Sequence, residues 1–131
     1  MGDPETEVVM PRLKSDIVPL LTDTAKQQLA DTTAEFDPRY ACTIVTVSGG
    51  YPGDFKKRYE ISGLENNGDS IVFHAGTKEA DGKIITNGGR VLCVTSLADT
   101  LPEAIERSKE VLGNIHFTDM YYRKDIGFEF V

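Results

Sequence analysis

The chain has 131 residues, 40% of them hydrophobic and 27% charged, with a formal net charge of −7. That length suits one domain with a real core, and the acidic balance excludes a general binder of nucleic acid or of anionic membranes, which needs an excess of Lys and Arg. With no signal peptide and no long apolar span, the expected location is the cytoplasm.

The opening run Gly2-Asp3-Pro4-Glu5-Thr6-Glu7 is acidic and Pro-stiffened. Such a turn suits a point where an element ends and chemistry begins. Asp3, Glu5 and Glu7 can serve a metal or a cationic group of a substrate; the plain alternative is a flexible acidic terminus. From Pro11 to Thr33 the pattern predicts helix, with Pro11 in a first turn. Leu13, Ile17, Leu20 and Leu21 share one face, which Leu29 continues. Pro19 lacks the amide that would reach Ser15, so a kink or break is expected there. Thr24 and Gln27 have the spacing of a capping box that restarts the helix. The outcome is two short helices or one bent one.

Glu35 to Arg39 is a turn linker, and after it the texture changes. Ala41 to Ser48 is a β-branched run that predicts an interior strand. Gly49-Gly50-Tyr51-Pro52-Gly53 is a tight loop. Arg58 to Gly63 and Ser70 to Ala75 predict two further strands, and Asp81-Gly82 is a hairpin turn joining the latter to Lys83–Thr86. Asn87-Gly88-Gly89 interrupts, and Arg90 to Ser96 returns as a buried strand. The glycines mark a bulge or a close backbone approach. Thr100 and Glu103 then form a capping box. Leu101, Ala104, Ile105, Ser108, Val111, Leu112 and Ile115 follow at helical spacing, and the helix ends near Gly113-Asn114. Helices, then strands, then a helix predict an α+β fold with a mostly antiparallel sheet and one covering helix.

Asn87-Gly88-Gly89-Arg90 is the best local candidate for a binding site. Gly88 and Gly89 let backbone N–H groups approach an anion, and the Arg90 fork can hold a phosphate by two bonds. A bulged hairpin with a surface Arg is the plainer reading. Lys83 lies across the same turn region, where both cations can face one pocket or where Lys83 is a solvated edge residue. Ser48 to Gly53 has spare donors but no Walker signature, and the two glycine loops can form a shared rim. His74 and Ser48 read as structural. Cys42 and Cys93 sit in apolar runs and read as buried thiols; a disulfide or metal pair is the alternative, without a zinc spacing to support it.

Six stretches together resemble the C-terminal part of glycinamide ribonucleotide synthetases (phosphoribosylamine–glycine ligases), ATP-grasp enzymes of purine synthesis. They are Gly2–Thr6, Met10–Asp16, Ser48–Gly53, Val72–Thr77, Thr86–Leu92 and Tyr122–Gly127, in the family's order. In that family an Arg-Phe precedes the Gly-Asp-Pro-Glu run, and a Glu-x-Asn pair that holds Mg²⁺ precedes the Arg-Phe. Here Met1 stands where the Phe belongs.

The resemblance implies a C-terminal fragment. Residues 1–36 would be the helical end of the ATP-grasp domain. Residues 37–131 would be the ligase C-terminal domain of rudimentary hybrid-motif type, which forms the substrate wall. The implied parent reaction joins 5-phosphoribosylamine and glycine with ATP and Mg²⁺ (or Mn²⁺). Neither ATP nor metal is expected on the fragment, since the metal ligands belong upstream of Met1, and the fragment alone is expected to be inactive. Its implied partners are the two substrates and the missing N-terminal and ATP-grasp domains. Arg90 and Lys83 are placed on the ribose phosphate, with Gly88 and Gly89 as backbone donors. Asp3 is placed at the ribosylamine end, with Glu5 in the same pocket. The competing reading is a non-catalytic packing or interaction module.

Overall fold

A computed structural model describes residues 2–130; Met1, the residue standing at the family's Phe position, and Val131 lie outside them. The fold is α+β. Its centre is an antiparallel pair, β1 (Tyr40–Ser48) and β5 (Arg90–Ala98). Outside them lie β2 (Ile71–His74) and β6 (Met120–Tyr121), giving a four-stranded sheet in the order β2-β5-β1-β6, antiparallel throughout. A separate hairpin joins β3 (Thr77–Ala80) to β4 (Lys83–Thr86).

In β1 the burial alternates, with Cys42, Ile44, Thr46 and Ser48 turned inward, as period-2 side-chain geometry requires. In β5, Val91 to Ser96 are all buried, because the two faces are both covered. Helix α3 (Leu101–Asn114) packs on β1 and β5, as does the short helix α1 (Thr6–Arg12). Thr100 caps α3 by accepting from the Glu103 amide, as its spacing predicts. Beneath α3 the buried hydroxyls of Ser70, Ser96 and Ser108 form a relay, 2.7 Å and 2.8 Å between neighbours, that ends 3.0 Å from the Cys42 carbonyl. Each buried hydroxyl thus has a partner, which its desolvation requires.

The helical segment differs from the expectation drawn from proline. Pro11 is not in a first turn but one residue before the end of α1. It has no N–H for the Glu7 carbonyl four residues back. The Thr95 hydroxyl of β5 takes that place, 3.0 Å from the Glu7 oxygen. The break falls at Leu13 to Asp16, not at Pro19. There Arg12 to Lys14 pair with Glu35 to Asp37 through backbone bonds of 2.6 and 2.9 Å. Asp16 then caps α2 (Ile17–Ala25) by accepting from the Val18 amide at 2.9 Å. Pro19 lies in the first turn of α2, where an amide has no intrahelical partner to lose. Thr24 restarts nothing: it sits in the last turn, its hydroxyl donating to the Leu20 carbonyl at 2.7 Å.

Arg58 to Gly63 forms no regular strand. The segment still runs along β4: the amides of Arg58 and Ile61 donate to Thr86 and Ile84 at 2.7 and 2.8 Å. Asp81-Gly82 does make a tight hairpin, both residues at positive φ, but it joins β4 to β3 and not to Ser70–Ala75. Among the described residues no helix is long and apolar enough to cross a membrane.

Candidate functional site

The ends of β1 and β5 and the hairpin connections meet at one glycine-rich rim. Ser48 closes β1, and its amide donates to the Gly89 carbonyl at 2.8 Å while its hydroxyl donates to the Gly88 carbonyl at 2.9 Å. Gly76 sits on the other side, with its carbonyl accepting from the Asn87 and Gly88 amides at 2.7 and 3.1 Å. The Gly76 amide donates to the Arg90 carbonyl at 2.8 Å. Gly88 and Gly76 approach so closely that a Cβ on Gly88 would stand 2.9 Å from the Gly76 Cα. Gly89 lies under the Tyr51 ring, which leaves no room for a side chain. Both glycine loops therefore form the shared rim that their sequences suggest, and the close approach is of backbone to backbone.

This corrects one role. The Gly88 amide is spent on Gly76, so Gly88 shapes the rim rather than offering a donor to an anion. Lys83 is also not with Arg90. It lies at the turn end of the hairpin, where its ammonium binds Glu60 at 2.7 Å. Thr86 is three residues further along β4, roughly 10 Å at strand rise. Glu5 folds back on its own segment, its Oε2 accepting from the Gly2 amide at 2.8 Å.

Asp3 and Arg90 are brought together. Asp3 Oδ1 accepts from Arg90 Nη1 at 3.1 Å and Oδ2 from Nη2 at 2.6 Å, an end-on fork across 87 positions of chain. The pair is open to solvent, with side chains 41% exposed for Arg90 and 62% for Asp3. Helix α1 carries Glu7, whose Oε2 is buried without a hydrogen-bond partner among the described residues. His74 Nδ1 lies 3.0 Å from the Thr77 hydroxyl at the start of β3, a turn contact.

Cys42 and Cys93 are both free and buried, on β1 and β5. Burial pushes the Cys93 thiol up to about 11, with the Glu7 and Asp3 charges adding and Arg90 opposing. Burial also raises Cys42, against the nearby Lys109. The folded chain therefore holds both thiols neutral where an unfolded chain ionises them. The Cys93 contribution to stability is full below about pH 8.5 and is lost as pH rises towards 11. Thiol reagents are expected to leave both cysteines unlabelled in the native chain at pH 7. Stability should fall between pH 9 and 11 more steeply in the unaltered chain than in Cys93→Ala. Rapid labelling of the native chain at pH 7 would contradict this.

Among the described residues no three His, Cys, Asp or Glu side chains stand together as a group able to hold a metal. The acid nearest Arg90 is already engaged by its guanidinium.

A family model described as "Phosphoribosylglycinamide synthetase, C domain" matches residues 41–129. The chain belongs to this family. The match takes in β1, the glycine rim, Arg90 and α3, while Asp3 lies before it. Among relatives, phosphoribosylamine–glycine ligase of Escherichia coli K12 is 46% identical over 129 residues, 96% of this chain and 30% of that protein. The ligase of Caldanaerobacter subterraneus is 42% identical over 125 residues, 95% of this chain and 30% of that one. The crystal structure of phosphoribosylamine–glycine ligase from Thermotoga maritima superposes with a TM-score of 0.71 at 34% identity, covering 95% of this chain and 31% of that one. The chain thus spans about 30% of the curated relatives it matches.

Sequence reasoning missed Gly76 as a member of the rim, although Gly76 stands in the Val72–Thr77 stretch of the resemblance. It placed the Ser48–Gly53 loop at the rim without the bond of the Ser48 hydroxyl to Gly88 or the Tyr51 ring over Gly89. Away from the rim, it also missed the Thr95 hydroxyl that meets Glu7.

Proposed function

We propose that this chain is the substrate-phosphate wall of a ligase that joins 5-phosphoribosylamine to glycine with ATP. In this reading Arg90 holds the ribose phosphate at the end of β5, and the Ser48–Gly89 rim fixes the strand that carries it. Residues 37–131 act as the C-terminal domain of the ligase, and residues 2–36 extend toward the part that binds ATP. ATP and Mg²⁺ supply the phosphoryl transfer that activates the glycine carboxylate, and they act from outside these residues. The chain alone neither hydrolyses ATP nor forms product. The observation that carries the reading is a guanidinium fork at the glycine rim of a chain in this family.

Calorimetric titration with ribose 5-phosphate tests it. The unaltered chain is expected to bind weakly and with salt sensitivity. Arg90→Ala is expected to lower the affinity about tenfold or more, since a charge-assisted bond contributes about 1.5 kcal/mol or more. Equal affinity in the variant would remove Arg90 from the site. Lys83 is bound to Glu60 and is not needed in this account.

One observation favours a second reading, a packing module without ligand. Val9, Leu13, Ile17, Leu20, Leu21 and Phe36 help to line an open apolar trough of about 490 Å³ along the helical segment. Val18, Leu21 and Phe36 are more than half exposed, and exposed apolar surface of this kind marks a protein-binding face. A concentration-dependent mass by ultracentrifugation, with no affinity for ribose 5-phosphate, would select this reading.

A further inference from the structure

We propose that Asp3 is the internal competitor for the anion at Arg90, so that ligand binding is an exchange that frees the first turn of the chain. The proposal rests on the reading of Arg90 as the phosphate holder. Asp3 takes the end-on fork of Arg90, with both Nη groups donating to its two oxygens at 2.6 and 3.1 Å. A phosphate is best held by the same pair of parallel bonds. The fork cannot serve both anions end-on.

Charge argues for exchange over sharing. Asp3, Glu5 and Glu7 belong to one short acidic segment, and the carboxylates of Asp3 and Glu7 act with Arg90 on the same buried thiol. With Asp3 seated, the guanidinium charge is already matched by the Asp3 carboxylate. A phosphate dianion then meets repulsion, which falls as Asp3 withdraws. The pair is also exposed enough to open, unlike a buried ion pair.

Asp3 is tied to the start of α1. The Thr6 amide and hydroxyl donate to the Gly2 carbonyl at 3.0 and 2.6 Å, and the Glu7 amide donates to the Pro4 carbonyl at 3.0 Å. These bonds close the turn that holds Asp3 over Arg90. Loss of the Asp3–Arg90 pair removes the tether between Asp3 and β5, while the Thr95 hydroxyl still holds the Glu7 carbonyl at 3.0 Å, so occupancy at Arg90 is read out in the order of the turn that precedes Glu7.

The test uses the full chain, with ribose 5-phosphate as probe. Asp3→Asn keeps the shape and removes the competing charge. It is expected to bind about fivefold more tightly, the factor that corresponds to an exposed ion pair of about 1 kcal/mol. Arg90→Gln is expected to abolish binding in both backgrounds. In the unaltered chain, saturation with ribose 5-phosphate should speed hydrogen exchange at the Thr6 and Glu7 amides. Weaker or unchanged binding by Asp3→Asn, with binding still dependent on Arg90, overturns the competitor role and leaves the phosphate reading intact. Slowed exchange at Thr6 and Glu7 overturns the release of the turn in the same way. Binding that survives Arg90→Gln, or no binding in any form, overturns the phosphate reading and the proposal together.

Discussion

Gly76→Ala is expected to cost about 3 kcal/mol of stability and to abolish ribose 5-phosphate binding in the molecules that still fold. A Cβ on Gly76 would overlap the Arg90 carbonyl oxygen and stand 2.7 Å from the Gly88 Cα and 3.0 Å from the Gly88 nitrogen. All three are backbone atoms, so no flexible side chain can give way. Relief requires the β2–β3 connection to part from Asn87–Arg90. That movement lengthens the three hydrogen bonds Gly76 makes there, to Asn87, Gly88 and Arg90. The start of β5 then loses its seat, and with it the direction of the Arg90 side chain. Gly113 supplies the control. It lies in the last turn of α3 with open space around the position of a Cβ, so alanine there is tolerated on steric grounds and gains helix propensity. Urea denaturation of both variants separates a general glycine effect from this contact. A loss below about 0.5 kcal/mol in Gly76→Ala, the range of an ordinary surface substitution, would mean that the rim relaxes freely and does not fix Arg90.

The difference between these two glycines explains how far the sequence could be read. Elements whose pattern is local were legible. The β-branched run of β1, the Thr100 cap of α3 and the end of that helix at Asn114 all appear as their residues suggest. Strand β3 was not legible, because Thr77-Lys78-Glu79-Ala80 has no apolar alternation and is a strand only through its pairing with β4. The helical segment was misjudged for a related reason. Pro11 was placed by its local preference for a first turn, yet its position late in α1 is made possible by a hydroxyl on β5. A contact 88 positions away leaves no trace in a window of a dozen residues. The site follows the same rule. Residue type and a glycine neighbourhood pointed to Arg90, and family resemblance pointed to Asp3. Their pairing, and the commitment of Lys83 to Glu60, depend on how the chain returns on itself.

Phe117→Ala is expected to cost about 4 kcal/mol, the largest effect of a single change considered for this chain. Phe117 is 1% exposed and lies in one core cluster with Ile44, Leu112 and Ile115, between α3 and the sheet. Truncation removes the transfer energy of the ring and leaves a cavity whose walls belong to regular elements, which cannot collapse inward. The consequence reaches the site through backbone. The Phe117 carbonyl accepts from the Met120 amide at 3.2 Å, closing the turn that carries the chain into β6. Met120 pairs with Ser48, and Ser48 holds the Gly88 and Gly89 carbonyls. A shift of the turn is therefore transmitted to the rim beside Arg90. Phe117→Leu keeps most of the apolar volume and should retain more of the stability. Denaturation midpoints at constant slope measure both variants. Equal losses in the two would mean that ring shape, and not volume, holds this corner. A loss under 1 kcal/mol in Phe117→Ala would mean that the turn is secured elsewhere, and the route from core to rim would then have to run through β1 alone.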